Sequence, residues 1–170
     1  MQEKLDVYGH LKKLETILKE DLVNNKENIV KEIESNKRQG GEVEGIFTKR
    51  VLSRIMQNAF QNNVVIEGMD SKGKTKFKQF FFGAKGAPDF IIENPRVVGE
   101  VKYGELNLDL LGKAIGKTIL YIANSKKQSQ KFEYGCIVFF DTSSKFNETV
   151  EEGEFIKYLW ENVNVFLIII

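Results

Sequence analysis

The chain has 170 residues, of which 42% are hydrophobic and 29% are charged, and its formal net charge at pH 7 is +1. This composition is typical of a folded globular protein rather than a disordered chain, and the length suits one domain. The single His and the single Cys exclude a zinc site of the usual His and Cys kind within one chain, and they exclude an intrachain disulfide.

The sequence shows no targeting or membrane signal. The N-terminus, MQEKLDVYGH, is charged from its first residues and does not predict a signal peptide. No apolar run is long enough to cross a membrane, and we expect FLIII near the C-terminus to be a core strand. We therefore expect an intracellular, cytoplasmic protein with no membrane contact.

Basic residues are concentrated in the middle of the chain. Residues 45–102 carry ten Lys or Arg against five Asp or Glu, whereas residues 136–170 carry two against six. A basic face is therefore compatible with the balanced total, and such a face favours nucleic acid as a partner.

The first predicted element is a helix over residues 3–36, which Asn24-Asn25 interrupts. Its apolar residues recur at spacings of three and four, with Lys and Glu between them. They are Leu5, Tyr8, Leu11, Leu14, Ile17 or Leu18, and Leu22. One apolar stripe suits either a helix packed on the core or an interaction and dimerisation helix, and we favour packing.

A second helix is predicted over residues 42–60, where apolar residues again follow a helical period. Glu42 and Glu44 lie near its start. The helix dipole alone favours a carboxylate at that position, so neither residue needs a further role to explain it.

Residues 64–82 predict a β-hairpin, with VVIEGM as the first strand, residues 70–73 as the turn and residues 74–82 as the second strand. Lysines at every second position share one face of this region. They are Lys72, Lys74, Lys76 and Lys78. They suit contacts with a nucleic-acid backbone, and they equally suit a solvated edge strand whose lysines discourage aggregation. Lys85 lies between glycines that let a phosphate come close, and we group it with these four lysines.

The segment over residues 83–105 carries the clearest chemistry. FII and VVGEVKY are predicted as two short strands joined by a turn at residues 93–96. Asp89 lies at the start of the first strand, and Glu100 and Lys102 project from one face of the second because they are two residues apart. The hairpin would bring Asp89 alongside Glu100, which places two carboxylates and an ammonium on one patch.

This patch allows two interpretations. Paired carboxylates repel each other unless a cation lies between them, and their oxygens suit Mg²⁺ or Mn²⁺. A lysine beside them can orient or deprotonate a water, or stabilise charge that develops on a phosphate. In the other interpretation, Asp89 caps a turn, and Glu100 and Lys102 form an ordinary ion pair on an exposed sheet face.

The C-terminal part predicts alternating helices and strands. A helix from about Leu108 to Asn124 begins at a cap formed by Asn107 or Asp109. A buried strand over residues 134–141 follows and contains Cys136, which we expect in the core. A mostly acidic helix over residues 147–160 and a buried strand, VNVFLIII, complete the chain.

The hairpin motif resembles that of the PD-(D/E)xK nuclease superfamily. Pro88-Asp89 matches its "PD", and Glu100-Val101-Lys102 matches its "ExK", with ten residues between the two acids. The glycines before Pro88, the hairpin and the helix after the motif also lie where the superfamily has them. The resemblance covers roughly residues 44–141 and does not point to one family within the superfamily.

The resemblance implies an α/β, restriction-endonuclease-like fold, with a central mixed β-sheet of four or five strands flanked by helices. Residues 1–36 would be an N-terminal helical extension, residues 42–141 the catalytic core, and residues 142–170 a C-terminal helix and strand of one domain.

The resemblance also implies a metal-dependent nuclease, most often an endodeoxyribonuclease acting on DNA. Asp89 and Glu100 would bind one or two Mg²⁺ or Mn²⁺ ions, with the Val101 carbonyl and a glutamate of the preceding helix. Glu44 fits that last role best, and Glu42 is the alternative.

Two lysines would act on the phosphate. Lys102 would position the water or stabilise the pentavalent phosphate. Lys117, one turn before Tyr121, matches an accessory position on the following helix, and Lys113 is the alternative there.

Two other classes of function compete with a nuclease. One is a nucleic-acid-binding module with the same fold that does not cut, and the other is a subunit whose N-terminal helix docks a partner protein. A homodimer is a further expectation, by analogy with duplex-cutting enzymes that use two active sites.

Overall fold

A computed structural model describes residues 2–37, 42–66, 79–81, 84–125, 131–143, 146 and 149–170. The helices are α1 (Gln2–Val23), α2 (Lys26–Lys37), α3 (Val43–Ile46), α4 (Ser53–Phe60), α5 (Leu108–Ser125) and α6 (Val150–Tyr158). A π-helical turn (Phe47–Leu52) joins α3 to α4, a 3-10 turn (Gln61–Asn63) follows α4, and a second π-helical turn (Leu159–Val163) follows α6. The strands are β1 (Val64–Ile66), β2 (Gln79–Phe81), β3 (Ala84–Gly86), β4 (Phe90–Ile92), β5 (Val97–Gly104), β6 (Tyr134–Asp141) and β7 (Val165–Ile169).

The main sheet has five strands in the order β1-β4-β5-β6-β7. The β1–β4 and β4–β5 pairs are antiparallel, and the β5–β6 and β6–β7 pairs are parallel. The protein is therefore a mixed α/β protein, and the predicted mixed sheet of four or five strands flanked by helices is confirmed. Strand β6 is buried along its whole length, as its continuous apolar run predicts, and Cys136 lies in it as a fully buried thiol.

Helices cover both faces of this sheet. The largest apolar cluster joins α1, α2, the first π-helical turn and α4 to one face of β5, β6 and β7. A second cluster joins α5 and the segment after α6 to the other face. This three-layer arrangement explains why the central strands read as continuous apolar runs, because neither face meets water.

Helix α1 belongs to the main core. It ends at Val23, and α2 begins at Lys26, so the predicted break at residues 24 and 25 is confirmed. Its buried residues are Val7, Leu11, Leu14, Leu18 and Leu22. The predicted stripe is wrong at its first position, because Leu5 is 60% exposed and Val7 is buried instead. The buried residues follow one face of a 3.6-residue period, and that face passes through residue 7 rather than residue 5.

The hairpin predicted over residues 64–82 differs from the observed pairing. Strand β1 pairs with β4, and β2 pairs with β3 in a separate two-stranded sheet. The predicted turn and the lysines at positions 72, 74, 76 and 78 lie outside the described residues. The β-branched residues correctly marked a strand at VVI, but they carry no information about which neighbour that strand pairs with.

None of the helices in the described parts of the chain is long and apolar enough to cross a membrane.

Position 99 requires a glycine because its cross-strand partner occupies the space of a side chain. It lies opposite Phe90 in the β4–β5 ladder, and a Cβ at this position would overlap the Phe90 ring. We expect Gly99→Ala to lower the free energy of unfolding by about 1–3 kcal/mol, because the fully buried ring has no room to move. Urea denaturation measures the change.

The matched control for this substitution is Gly9→Ala. A Cβ at Gly9, in α1, would meet no atom within 4 Å beyond its chain neighbours and the backbone of its own helix. We expect this variant to be more stable than the wild type by about 0.5–1 kcal/mol, because alanine loses less backbone entropy in a helix. A Gly99→Ala protein as stable as Gly9→Ala would contradict the register of the hairpin.

Candidate active site

The candidate site lies at the N-terminal end of β4, beside β5. Phe90, the first residue of β4, pairs with Gly99, so residues 100–104 of β5 have β6 as their strand neighbour and extend beyond β4. Pro88 lacks an N–H group and cannot donate to a continued ladder. Among the described strands, the edge of β5 that β4 leaves open thus begins at Glu100, and side chains from α3 and α5 reach the residues along it.

Asp89 connects the start of β4 to this open edge. Its N–H donates to the Gly99 carbonyl at 3.0 Å, and its Oδ2 accepts from the Val101 N–H at 2.7 Å. The carboxylate thus accepts the hydrogen bond that the backbone carbonyl of a further strand residue would otherwise accept. Burial, together with the negative charges of Glu100 and Glu44, raises the pKa of Asp89 to about 7.

Glu100 is the most deeply buried acid of the site, since its side chain is 1% exposed. Its Oε1 accepts from Lys102 Nζ at 2.9 Å and from Lys117 Nζ at 2.8 Å. Its Oε2 is also buried, and among the described residues it has no hydrogen-bond partner. The alternative interpretation of this patch was an ordinary ion pair on an exposed sheet face. The burial of Glu100 contradicts it, because this carboxylate does not meet solvent.

Lys102 lies at the centre of the site. Its Nζ is within 3.1 Å of both Glu44 carboxylate oxygens, 2.9 Å from Glu100 Oε1 and 2.9 Å from the Val101 carbonyl oxygen. Burial alone would lower the pKa of Lys102, but Glu100 and Glu44 raise it above its usual value. The side chain is therefore a charged ammonium that links β5 to α3.

Glu44 reaches the site from α3. Its side chain is about one-third exposed and contacts Lys102 Nζ. Glu42 precedes the helix and is exposed. Of the two glutamates that the sequence left open, the fold therefore brings Glu44 to the site.

Helix α5 supplies Lys117 and Tyr121. The Lys117 side chain is half exposed and reaches Glu100, whereas Lys113 pairs with Asp109 at 2.6 Å on the same helix. Tyr121 Oη donates to the Ala87 carbonyl at 2.9 Å and so holds the segment that precedes Asp89. The sequence placed Tyr121 one turn after Lys117 but assigned it no contact, because the segment it holds is more than 30 residues away.

The side chains of the five lysines predicted to contact nucleic acid lie outside the part of the chain that the structure describes. Lys72, Lys74, Lys76 and Lys78 lie outside the described residues. Lys85 lies in β3, which pairs with β2, and its side chain is also outside the description.

A further buried acid, Asp141, differs from the site in its hydrogen bonding. Its carboxylate accepts from the Leu106 N–H and from the N–H and hydroxyl groups of Ser143. Burial alone would raise the pKa of Asp141, but these hydrogen bonds leave it below its usual value. Asp141 is fully buried and hydrogen-bonded, so it fastens the end of β6 and serves as a structural acid.

No group of three or more His, Cys, Asp or Glu side chains in the described residues is arranged to hold a metal ion. Lys102 Nζ lies between Glu44 and Glu100 instead. The fold and the site thus define a mixed α/β protein with a buried carboxylate–lysine cluster at an open strand edge. Comparisons of the chain with protein-family models, curated proteins and solved structures found no match.

Proposed function

We propose that the protein is a Mg²⁺- or Mn²⁺-dependent nuclease of the PD-(D/E)xK type, with a restriction-endonuclease-like fold, that hydrolyses phosphodiester bonds in DNA. The observation that supports this most is the Glu100 carboxylate. One of its oxygens is buried without a hydrogen-bond partner in the described part of the chain, and Asp89, Lys102 and Lys117 surround it. An orphaned buried carboxylate oxygen costs stability unless a further cation or donor binds it.

The donor set fits Mg²⁺ or Mn²⁺. Mg²⁺ usually keeps several waters and takes one or two carboxylates together with substrate phosphates, so three clustered acids are not required. Asp89 and Glu100 supply two carboxylates, and the carbonyl of Val101, whose N–H contacts Asp89 and whose oxygen contacts Lys102, supplies a neutral oxygen. Burial raises the pKa of Asp89 most, and the negative charges of Glu100 and Glu44 raise it further; a divalent cation would offset both effects.

Bound Mg²⁺ would lower the pKa of a water and neutralise charge on the scissile phosphate. The chain itself performs the remaining tasks. Asp89 holds the start of β4 against β5 through the Val101 N–H and keeps the two acids on one patch. Lys102 Nζ carries a positive charge at the carboxylates, where it can donate to a phosphate oxygen as negative charge develops. Lys117, half exposed at the rim, would contact a neighbouring phosphate oxygen.

Nucleic acid is the substrate class for two reasons. The motif Pro88-Asp89 and Glu100-Val101-Lys102 is similar to that of a nuclease superfamily, and residues 45–102 carry a twofold excess of basic residues. Phosphate contacts by such residues would make binding strongly dependent on salt concentration.

The test is cleavage of linear duplex, supercoiled plasmid, single-stranded DNA and a four-way junction, each with Mg²⁺, Mn²⁺ or EDTA. We expect cleavage with either metal and none in EDTA, and the preferred DNA identifies the substrate. Wild-type protein that cuts no DNA with either metal, yet binds DNA in a salt-dependent manner, would overturn the nuclease proposal in favour of a binding module.

A further inference from the structure

The Lys102 ammonium uses the same oxygens that we assign to the metal. Three groups form that proposed ligand set: Asp89, Glu100 and the Val101 carbonyl. Lys102 Nζ lies 2.9 Å from an oxygen of each of the last two, and Glu44 holds it there from the other side at 3.1 Å.

Mg²⁺ binds carboxylate oxygens at about 2.0–2.1 Å and demands a regular octahedron of ligands. An ammonium at hydrogen-bond distance from the same oxygens would be a second cation beside it, and two cations so close repel each other strongly where water is scarce. Lys102 and a divalent ion therefore cannot share these oxygens.

We infer that Lys102 is an internal competitor for the metal, and that metal binding expels its ammonium from between Glu44, Glu100 and the Val101 carbonyl. Lys102 then sets the affinity of the site for divalent cations, in addition to any part it plays toward phosphate. A phosphate that binds Lys102 and draws it away from these oxygens would strengthen metal binding. Because coupling between two ligands is reciprocal, the bound metal would strengthen phosphate binding by the same factor.

The burial of Lys102 and the number of ligand oxygens that it contacts support this inference. Lys102 is 6% exposed, so its charge is held by these oxygens and not by solvent. Lys117 differs in both respects, because its side chain is half exposed and contacts Glu100 alone within the proposed ligand set. The competing cation is therefore Lys102, and Lys117 at the rim can stay in place when a metal binds.

The inference rests on the proposed function only for the identity of the metal ligands, and its test needs no cleavage. Calorimetric titration with Mn²⁺ or Mg²⁺ in the absence of DNA compares the wild type with Lys102→Met and Lys113→Met. Methionine keeps the length and apolar stem of lysine and removes the charge. Lys113→Met is the matched control, since Lys113 lies on the neighbouring helix α5 and pairs with Asp109, away from the site.

We expect Lys102→Met to bind the metal at least about tenfold more tightly than the wild type, a change that corresponds to about 1.4 kcal/mol. Lys113→Met should bind within about twofold of the wild type, because exposed charges at a distance are screened by salt. Equal or weaker binding by Lys102→Met, relative to Lys113→Met, would overturn the inference.

A second measurement uses the wild-type protein and does not depend on the folding of a variant. Reductive methylation followed by mass spectrometry reports the reactivity of each lysine amine. We expect Lys102 to react slowly without metal and several-fold faster with Mg²⁺, while Lys113 does not change. Lys102 reactivity that falls or stays constant with Mg²⁺ would contradict the expulsion.

The inference and the proposed function fail separately. A wild-type protein that cuts DNA with Mg²⁺, together with unchanged metal affinity in Lys102→Met, overturns only the competition. Tighter metal binding by Lys102→Met in a protein that cuts no DNA overturns only the nuclease.

Discussion

Asp89→Asn should reduce Mg²⁺-dependent DNA cleavage by at least about a hundredfold, because the proposed metal site would lose one of its two charged ligands. The amide keeps an oxygen that can accept from the Val101 N–H, so the contact between β4 and β5 is retained. A cleavage assay with protein purified identically measures the effect. Activity within threefold of the wild type would remove Asp89 from the site.

The same substitution should stabilise the protein in EDTA at pH 8. Burial and the neighbouring acids raise the pKa of Asp89 to about 7 in the folded chain. An acid with a higher pKa in the folded than in the unfolded state stabilises the fold while it is protonated. That contribution is complete below the unfolded pKa of about 4 and is lost as the pH rises through 7.

The wild type therefore holds a buried, poorly compensated charge at pH 8, whereas the asparagine variant is neutral. We expect the variant to be more stable by about 1–3 kcal/mol at pH 8, with the difference shrinking as the pH falls and disappearing at about pH 4. Urea denaturation at both pH values tests this. A variant that is less stable than the wild type at pH 8 would show that the Asp89 charge is well compensated without metal.

Glu100→Gln should have the largest effect on stability. The substitution leaves Lys102 buried with one remaining acid, Glu44, and breaking a buried ion pair from one side typically costs about 3–5 kcal/mol. Relief of the repulsion with Asp89 offsets part of this cost, so we expect a loss of about 3 kcal/mol. Cleavage should be lost as well, because Glu100 carries the oxygen assigned to the metal.

A double substitution separates the pair energy from a general packing effect. Adding Lys102→Met to Glu100→Gln removes the buried charge that the single variant strands, and we expect part of the lost stability to return. Lys117→Met is the control, since its half-exposed ammonium should contribute less than about 1 kcal/mol to stability. A double variant no more stable than Glu100→Gln would show that Lys102 is not paired through Glu100.

The local pattern was sufficient to predict several parts of the site. Alternation along a strand places Glu100 and Lys102 on one face whatever the rest of the chain does. The turn at residues 93–96 then returns the chain so that Asp89 lies beside that strand. The break between α1 and α2 and the buried strand β6 also follow from nearest neighbours in the sequence.

The choice between equivalent residues required the tertiary structure. Glu42 and Glu44 are both acids at a helix start, and Lys113 and Lys117 share a face of α5. Only the docking of α3 and α5 against β5 brings Glu44 to Lys102 and Lys117 to Glu100. No local spacing records these contacts, because the partners are between 17 and 58 residues apart.

The chain's own sequence thus determined which residue types lie on which face of each strand and helix, since that depends on backbone geometry within a few residues. The tertiary structure decided which faces are covered. It buries Val7 instead of Leu5, pairs β1 with β4, and encloses Glu100 so that one carboxylate oxygen has no partner among the described residues. Burial is a property of all the elements that pack around a residue, and it turns an ordinary strand glutamate into a candidate metal ligand.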